Sequence, residues 1–227
     1  MPRRSMRSPR TLLAAPTSRR RSRQRSLDET LRLIEDRLAR FEASAPTSCD
    51  AEVRAFASRI PVRAWIGELI VRVVAVLPTA ARPRVLPREA WRLSNADFAP
   101  HNLLVRSDGS VCSVDWEYAG WDDPARLVAG FLAHVRSLSL PAEHAIRFQR
   151  TYAEVRDLPE AEVVRITRLR LLNEVEWVTI HLDGMTEGRL QRYLHARPDA
   201  DPHAYFAEQI ADCERRIARV RKLLGCE

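Results

Sequence analysis

Apolar residues recur every three to four positions along most of the chain, and that period predicts helices. Ser26 and Glu29 form a capping box, and Leu27, Leu31, Ile34, Leu38 and Phe41 follow at helical spacing, predicting a first helix over about 27–43. Val53, Phe56 and Ile60 start a second helix that Pro61 must kink or end. Val62, Trp65, Ile66, Leu69, Ile70, Val73, Val74 and Leu77 continue the period to Pro78, a stripe broad enough for a buried core helix. Residues 124–138 and 141–156 read as further helices, and 159–182 as a long one, apolar around most of its girth and so central to a bundle. Phe206, Ile210, Cys213, Ile217, Val220 and Leu224 form a regular seam, packed either on this domain or on a partner helix.

The pattern breaks once, at 94–123. "NLLV" (102–105) and "VCSV" (111–114) are short apolar strands around "RSDGS", and Asp-Gly is a strong two-residue hairpin turn. If Asp108 and Gly109 are the loop residues, Val105 faces Cys112, Leu104 faces Ser113, Leu103 faces Val114 and Asn102 faces Asp115. The expectation is a mainly α domain with one small β-hairpin, over residues 26–227, without internal repeats.

Length and charge refine this picture. The 227 residues are enough for one domain with a sizeable core. The net charge of +7 points to nucleic acid until it is located: nine arginines lie within residues 1–25, which hold no acid, and taking those nine from +7 leaves −2 for the rest. The segment 1–25 reads as a disordered Arg-rich tail, or as a transit peptide; its "LLAAP" patch is too short for a secretory signal. Cys49, Cys112, Cys213 and Cys226 have no metal-ligand spacing and read as reduced thiols of a cytoplasmic protein. No apolar run reaches spanning length, since 65–77 is interrupted by Glu68 and Arg72.

The candidate chemistry lies at the hairpin. In the predicted register the Asn102 amide and the Asp115 carboxylate are cross-strand neighbours, two hard oxygen ligands able to share a Mg²⁺ ion that keeps waters or phosphates at its other positions. Asp97 precedes Asn102 in a segment that Pro100 keeps from being helical, and it can turn back towards the same end of the hairpin. Glu117 is read as an ion-paired structural residue, Trp116, Tyr118 and Trp121 as packing, His101 as orienting the loop, and Asp122 and Asp123 as capping the helix at Pro124.

"NADFAPHN", "VDWEYAG" and "WDDPARL" resemble the catalytic segment of the aminoglycoside phosphotransferase and choline kinase-like family, whose fold is that of protein kinases. The resemblance extends over about 27–224 and implies the C-terminal lobe of that α+β fold. By resemblance, Asp97 is the catalytic base or orienter of the acceptor hydroxyl, Asn102 a Mg²⁺ ligand and Asp115 the main Mg²⁺ ligand bridging ATP phosphates, with a small-molecule hydroxyl compound as substrate. Asn95 stands where the family has a His, and as a hydrogen-bond donor it can still hold the loop. Leu127 and Gly130 stand near where the family often carries an acid.

The family's N-terminal β lobe brings a glycine-rich cover and a strand lysine. Here no glycine precedes Gly67, and the only lysine is Lys222. That lobe is therefore expected to be missing from these residues. Three functions follow: an ATP- and Mg²⁺-dependent small-molecule kinase lobe, truncated or inactive by itself; a non-catalytic scaffold that binds a partner where the lobe would sit; and, least supported, nucleic-acid binding through the arginine tail.

Overall fold

The computed structural model describes residues 27–59, 61–76, 88–95, 97–117 and 119–225. The Arg-rich segment 1–25, the Ser26 half of the capping box, Ile60, Leu77, Tyr118 and Cys226 lie outside the described residues. Among those described, the apolar periods become α1 (Leu27–Ser44), α2 (Ala51–Arg59), α3 (Val62–Val76), α4 (Pro124–Ala133), α5 (Ala142–Val155), α6 (Glu160–Gly184), α7 (Glu187–Ala196) and α8 (Pro202–Leu223). Four three-residue strands, β1 (Arg92–Ser94), β2 (Leu103–Val105), β3 (Val111–Ser113) and β4 (Gly120–Asp122), lie between α3 and α4.

α6 is the axis. Its buried residues occur on successive turns and on more than one face, from Ile166 and Leu169 through Leu172 and Val175 to Leu182, and it packs against α1, α3, α4 and α8. Two apolar clusters share it. The larger joins α1, α2, α3 and α8 to its C-terminal half. The smaller joins α4 to Ile166 and Leu169, with Phe98, Leu103 and Phe148 against it. The α8 seam packs within this chain: Phe206, Cys213, Ile217 and Val220 are buried in the larger cluster, and Ile210 and Leu224 pack on its edge. α3 is less central than its sequence predicts, because only Val62, Ile66, Leu69 and Val73 are buried while Val71 is 68% exposed.

The helix expected over 124–138 stops at Ala133. His134 leaves the helix with φ −62° and ψ 143°, its Nδ1 accepts the Arg136 N–H at 3.0 Å, and a short 3-10 turn (Val135–Ser137) follows. The side chain thus satisfies a donor of the next turn, and the chain changes direction there. From α8, the Arg216 guanidinium reaches across to donate to the Ala133 carbonyl at 2.8 Å, closing the end of α4.

The hairpin register differs by one residue from the expected one. Leu103 faces Ser113, Leu104 faces Cys112 and Val105 faces Val111, and Val114 N–H donates to Asn102 O at 2.9 Å, so Asn102 lies opposite Val114 rather than Asp115. The cause is the loop. Gly109 N–H donates to Arg106 O (3.0 Å) and Arg106 N–H to Ser110 O (2.8 Å), which makes a three-residue loop with only Gly109 at positive φ, 81°. Asp108 instead accepts the Ser110 N–H on Oδ1 at 2.9 Å, avoiding the left-handed conformation that a two-residue loop would impose on it. A Cβ on Gly109 would meet nothing within 4 Å, so the Gly109→Ala cost is conformational. A loss of about 1–2 kcal/mol in urea unfolding is expected, with no change in the cleft described below.

A second antiparallel pair, β1 with β4, sets Ser94 opposite Gly120 and Arg92 opposite Asp122. It fastens the start of the 94–102 loop to the start of α4.

Candidate active site

Three short-range devices shape residues 94–102. Asn95, 2% exposed, donates from Nδ2 to Ser113 Oγ at 2.9 Å and lies 3.5 Å from Val114 O, so it ties the loop to β3 as expected of a hydrogen-bonding residue at that position. Asp97 N–H donates to Asn95 O at 2.7 Å, a tight closure across three residues. Pro100 opens a 3-10 turn ending at Asn102, whose N–H donates to Ala99 O at 2.9 Å.

Asn102 is the hub of the loop. It is 5% exposed, and its Nδ2 donates to Asp97 O at 2.8 Å and to Asp97 Oδ2 at 3.3 Å. The structure therefore brings Asp97 and Asn102 together directly. With Nδ2 committed, Oδ1 is left as an acceptor that no donor among the described residues takes.

Asp115 is placed differently from expectation. It follows β3, is exposed, and adopts φ 60°, a left-handed conformation that Asp tolerates better than most residues at a cost of roughly 1–3 kcal/mol. With the one-residue register shift, this kink replaces the predicted cross-strand pairing: Asp115 comes one residue after the partner of Asn102 and turns sharply. Its carboxylate accepts no hydrogen bond among the described residues. An amide oxygen and a carboxylate, both unclaimed, are a chemically suitable donor pair for a hard cation that retains water or phosphate oxygens. No cluster of three or more His, Cys, Asp or Glu side chains among the described residues is arranged to hold a metal.

Asp97 also meets two histidines. His134 Nε2 lies 3.6 Å from Oδ1 and His101 Nε2 lies 3.8 Å from Oδ2. The two imidazole rings stack with centroids 5.3 Å apart, and Trp177 of α6 meets His134 edge-on at 5.0 Å. Because His134 Nδ1 accepts from the backbone, its neutral form carries the proton on Nε2, facing Asp97. Burial pushes the imidazole down to about 4, against the attraction of Asp97 and with help from His101, Arg216 and Arg136. His134 is therefore neutral near pH 7.

A pH effect follows with a definite sign. The folded value lies below the ordinary 6.5, so as pH falls the unfolded chain takes up this proton first. Stability is expected to fall as pH drops from about 6.5 to about 4, and unfolding titrations of His134→Gln should lack that part of the slope.

Ser94, Asp97, Phe98, Asp122, Arg126, Phe131, His134, Asn173, Glu176 and Trp177 line a cleft of about 220 Å³ between the loop, α4 and α6. Asp123 follows Asp122 of this lining. As expected it caps α4, accepting Ala125 N–H at 2.9 Å, but it is also fully buried and paired through both carboxylate oxygens with Arg165 of α6. The remaining expectations for the stretch are corrected. Glu117 is exposed and has no ion pair among the described residues, and Trp116 and Trp121 are 45% and 41% exposed rather than packed. Trp116 donates from Nε1 to Ser113 O at 2.9 Å.

His134, Arg126, Asn173, Glu176 and Trp177 were not legible as site residues. The available signals were weak: a His at the end of an apolar run, and Asn, Glu and Trp inside a helix otherwise suited to burial on all sides.

No family model matches the chain, and no curated protein matches it. Among solved structures it is similar to a choline/ethanolamine kinase family protein from Mesorhizobium loti, at 17% identity and TM-score 0.47, covering 88% of this chain and 59% of that one. It is also similar to a spectinomycin phosphotransferase solved with ADP and spectinomycin, at 14% identity and TM-score 0.48, covering 82% of this chain and 55% of that one. The chain thus spans less than two thirds of the length of either.

Proposed function

We propose that this chain is the acceptor-binding, C-terminal lobe of a phosphotransferase that moves a phosphoryl group from ATP to a hydroxyl of a small molecule. The observation that carries this reading is the Asp97–Asn102 unit: a carboxylate lining a cleft, bonded by the amide nitrogen of a residue whose amide oxygen remains open among the described residues. Phosphoryl transfer asks of a protein mainly position and charge neutralisation, and this unit supplies an acceptor for one proton beside a donor set for a hard cation.

In the proposed reaction the acceptor oxygen forms a bond to the γ-phosphorus as the bond between that phosphorus and ADP breaks. The hydroxyl proton passes to Asp97. Asn102 Oδ1 and the Asp115 carboxylate would hold Mg²⁺, which when bound neutralises charge on the nucleotide phosphates. His134 and Asn102 restrain the Asp97 carboxylate from two sides, and the Phe98, Phe131 and Trp177 walls limit water around the acceptor.

The test is calorimetric titration of the chain with Mg·ADP, alongside phosphate transfer from ATP in preparations competent for it. Asp115→Ala is expected to weaken nucleotide binding in Mg²⁺ but not in its absence. Indifference of both binding and turnover to Asp97→Ala and Asp115→Ala would end this reading.

A second reading is a non-catalytic scaffold. It is favoured by Lys222, the only lysine, standing in the last turn of α8, and by the exposed apolar face of the hairpin at Leu104, Val105 and Val111. Mg·ADP binding abolished by Asp115→Ala would count against it.

A further inference from the structure

We propose that Arg126 and Asn173 form an oxyanion subsite in the cleft, so that the acceptor is a hydroxy acid with its hydroxyl at Asp97 and its carboxylate between these two side chains. The hydroxyl half rests on the phosphotransferase reading; the anion half stands on the observations below.

Each residue breaks a local rule, and both do so at the same cavity. Arg126 lies in the first turn of α4, which contains no acid, although the positive end of a helix disfavours a cation there. The capping carboxylate beside it, Asp123, is consumed by Arg165 and the Ala125 N–H. Arg126 Nη1 is buried and has no hydrogen-bond partner among the described residues. Asn173 lies in the middle of α6, is 8% exposed, and its side-chain amide has no partner among the described residues. A buried donor left unsatisfied is costly, and a guanidinium gains most from a carboxylate that it can bind with two parallel hydrogen bonds.

Both line the same cleft, Arg126 from α4 and Asn173 from α6, and Gly130 leaves room beside Asn173: a Cβ there would stand 3.9 Å from Asn173 Nδ2. The acids of the cleft are engaged in other ways. Glu176 Oε1 lies 3.2 Å from Arg37 Nη1, Asp122 Oδ1 accepts the Asp123 N–H at 2.7 Å, and Asp97 faces Asn102 and His134. Arg126 Nη1 and the Asn173 amide are thus donors at the cleft without a partner among the described residues, and a carboxylate supplies the acceptors they lack.

The experiment is calorimetric titration of the full chain, without nucleotide, with glycerate against glycerol and γ-hydroxybutyrate against butanediol. At least one acid is expected to bind about tenfold or more tighter than its neutral partner, as one charge-assisted contact implies. Arg126→Leu should abolish that preference and Asn173→Ala reduce it, with melting temperatures preserved because neither side chain has a partner to lose. Equal binding of acid and alcohol, no binding of either acid, or a preference that survives Arg126→Leu would overturn the proposal. So would a loss of Mg·ADP affinity in Arg126→Leu, which would assign the guanidinium to nucleotide phosphate. Acid binding without any phosphate transfer would defeat the catalytic reading alone; transfer confined to neutral or cationic alcohols would defeat this inference alone.

Discussion

Asp123→Ala is expected to lower the unfolding free energy by about 3–5 kcal/mol, the scale for removing one partner of a buried ion pair. Asp123 and Arg165 are 0% and 1% exposed, and the guanidinium holds both carboxylate oxygens. Truncating the acid leaves the buried guanidinium with only the partly exposed Glu162, 3.0 Å from Arg165 Nη1, as a charged partner and also removes the α4 cap. The pair by itself is not evidence of net stabilisation, because desolvation offsets its attraction. The double variant Asp123→Ala/Arg165→Met should therefore recover most of the loss, which guanidinium unfolding curves of the two variants would measure. By contrast, the exposed pairs of Arg63 with Glu35 and Glu42 should contribute little, because solvent and salt screen them. Asp122 precedes Asp123 and Arg126 lies in the first turn of the helix that Asp123 caps, so the single variant should also blur the cleft, read as weakened hydroxy-acid binding below the melting transition.

Asp97→Ala is expected to reduce phosphate transfer by about 10²–10⁴-fold, the range for losing a positioned proton acceptor. Circular dichroism should show the fold intact, because Asp97 lies in a loop with a side chain 41% exposed, and its losses are one long Asn102 amide bond and two histidine contacts beyond 3.5 Å. Asp97→Asn separates the two roles of the carboxylate. It keeps a carbonyl oxygen for Asn102 Nδ2 while removing the basic group, so its turnover should match that of Asp97→Ala, whereas acceptor binding should be retained. Turnover of Asp97→Asn close to wild type would reassign Asp97 to orientation only. His134→Gln should reduce turnover less, since His134 touches Asp97 rather than the acceptor hydroxyl.

The helical architecture was legible because burial on one face imposes a period. α1, α2, α5, α6 and α8 fall within a few residues of their expected limits, and Pro61 separates α2 from α3 as its missing N–H requires. α7 carries one buried residue, Leu190, and so had no stripe to read. The β1–β4 pair joins three-residue segments distant in sequence, too short for any alternation to show.

For the site, residue types and their order determined what chemistry is available: Asp97, Asn102 and Asp115 supply a proton acceptor and two hard oxygen ligands, and Asp-Gly marks a hairpin between them. The register was decided by the backbone, because a loop needing one positive φ at Gly109 is cheaper than one needing a second at Asp108, and that single residue moves Asp115 off the partner position of Asn102. Which side chains surround Asp97 was decided only in three dimensions. His134 depends on where α4 stops, and Arg126 and Asn173 line one cleft because α4 packs against α6, with the buried Asp123–Arg165 pair between them. Local propensity carries no information about contacts between residues forty or more positions apart; those are chosen by the packing of whole helices.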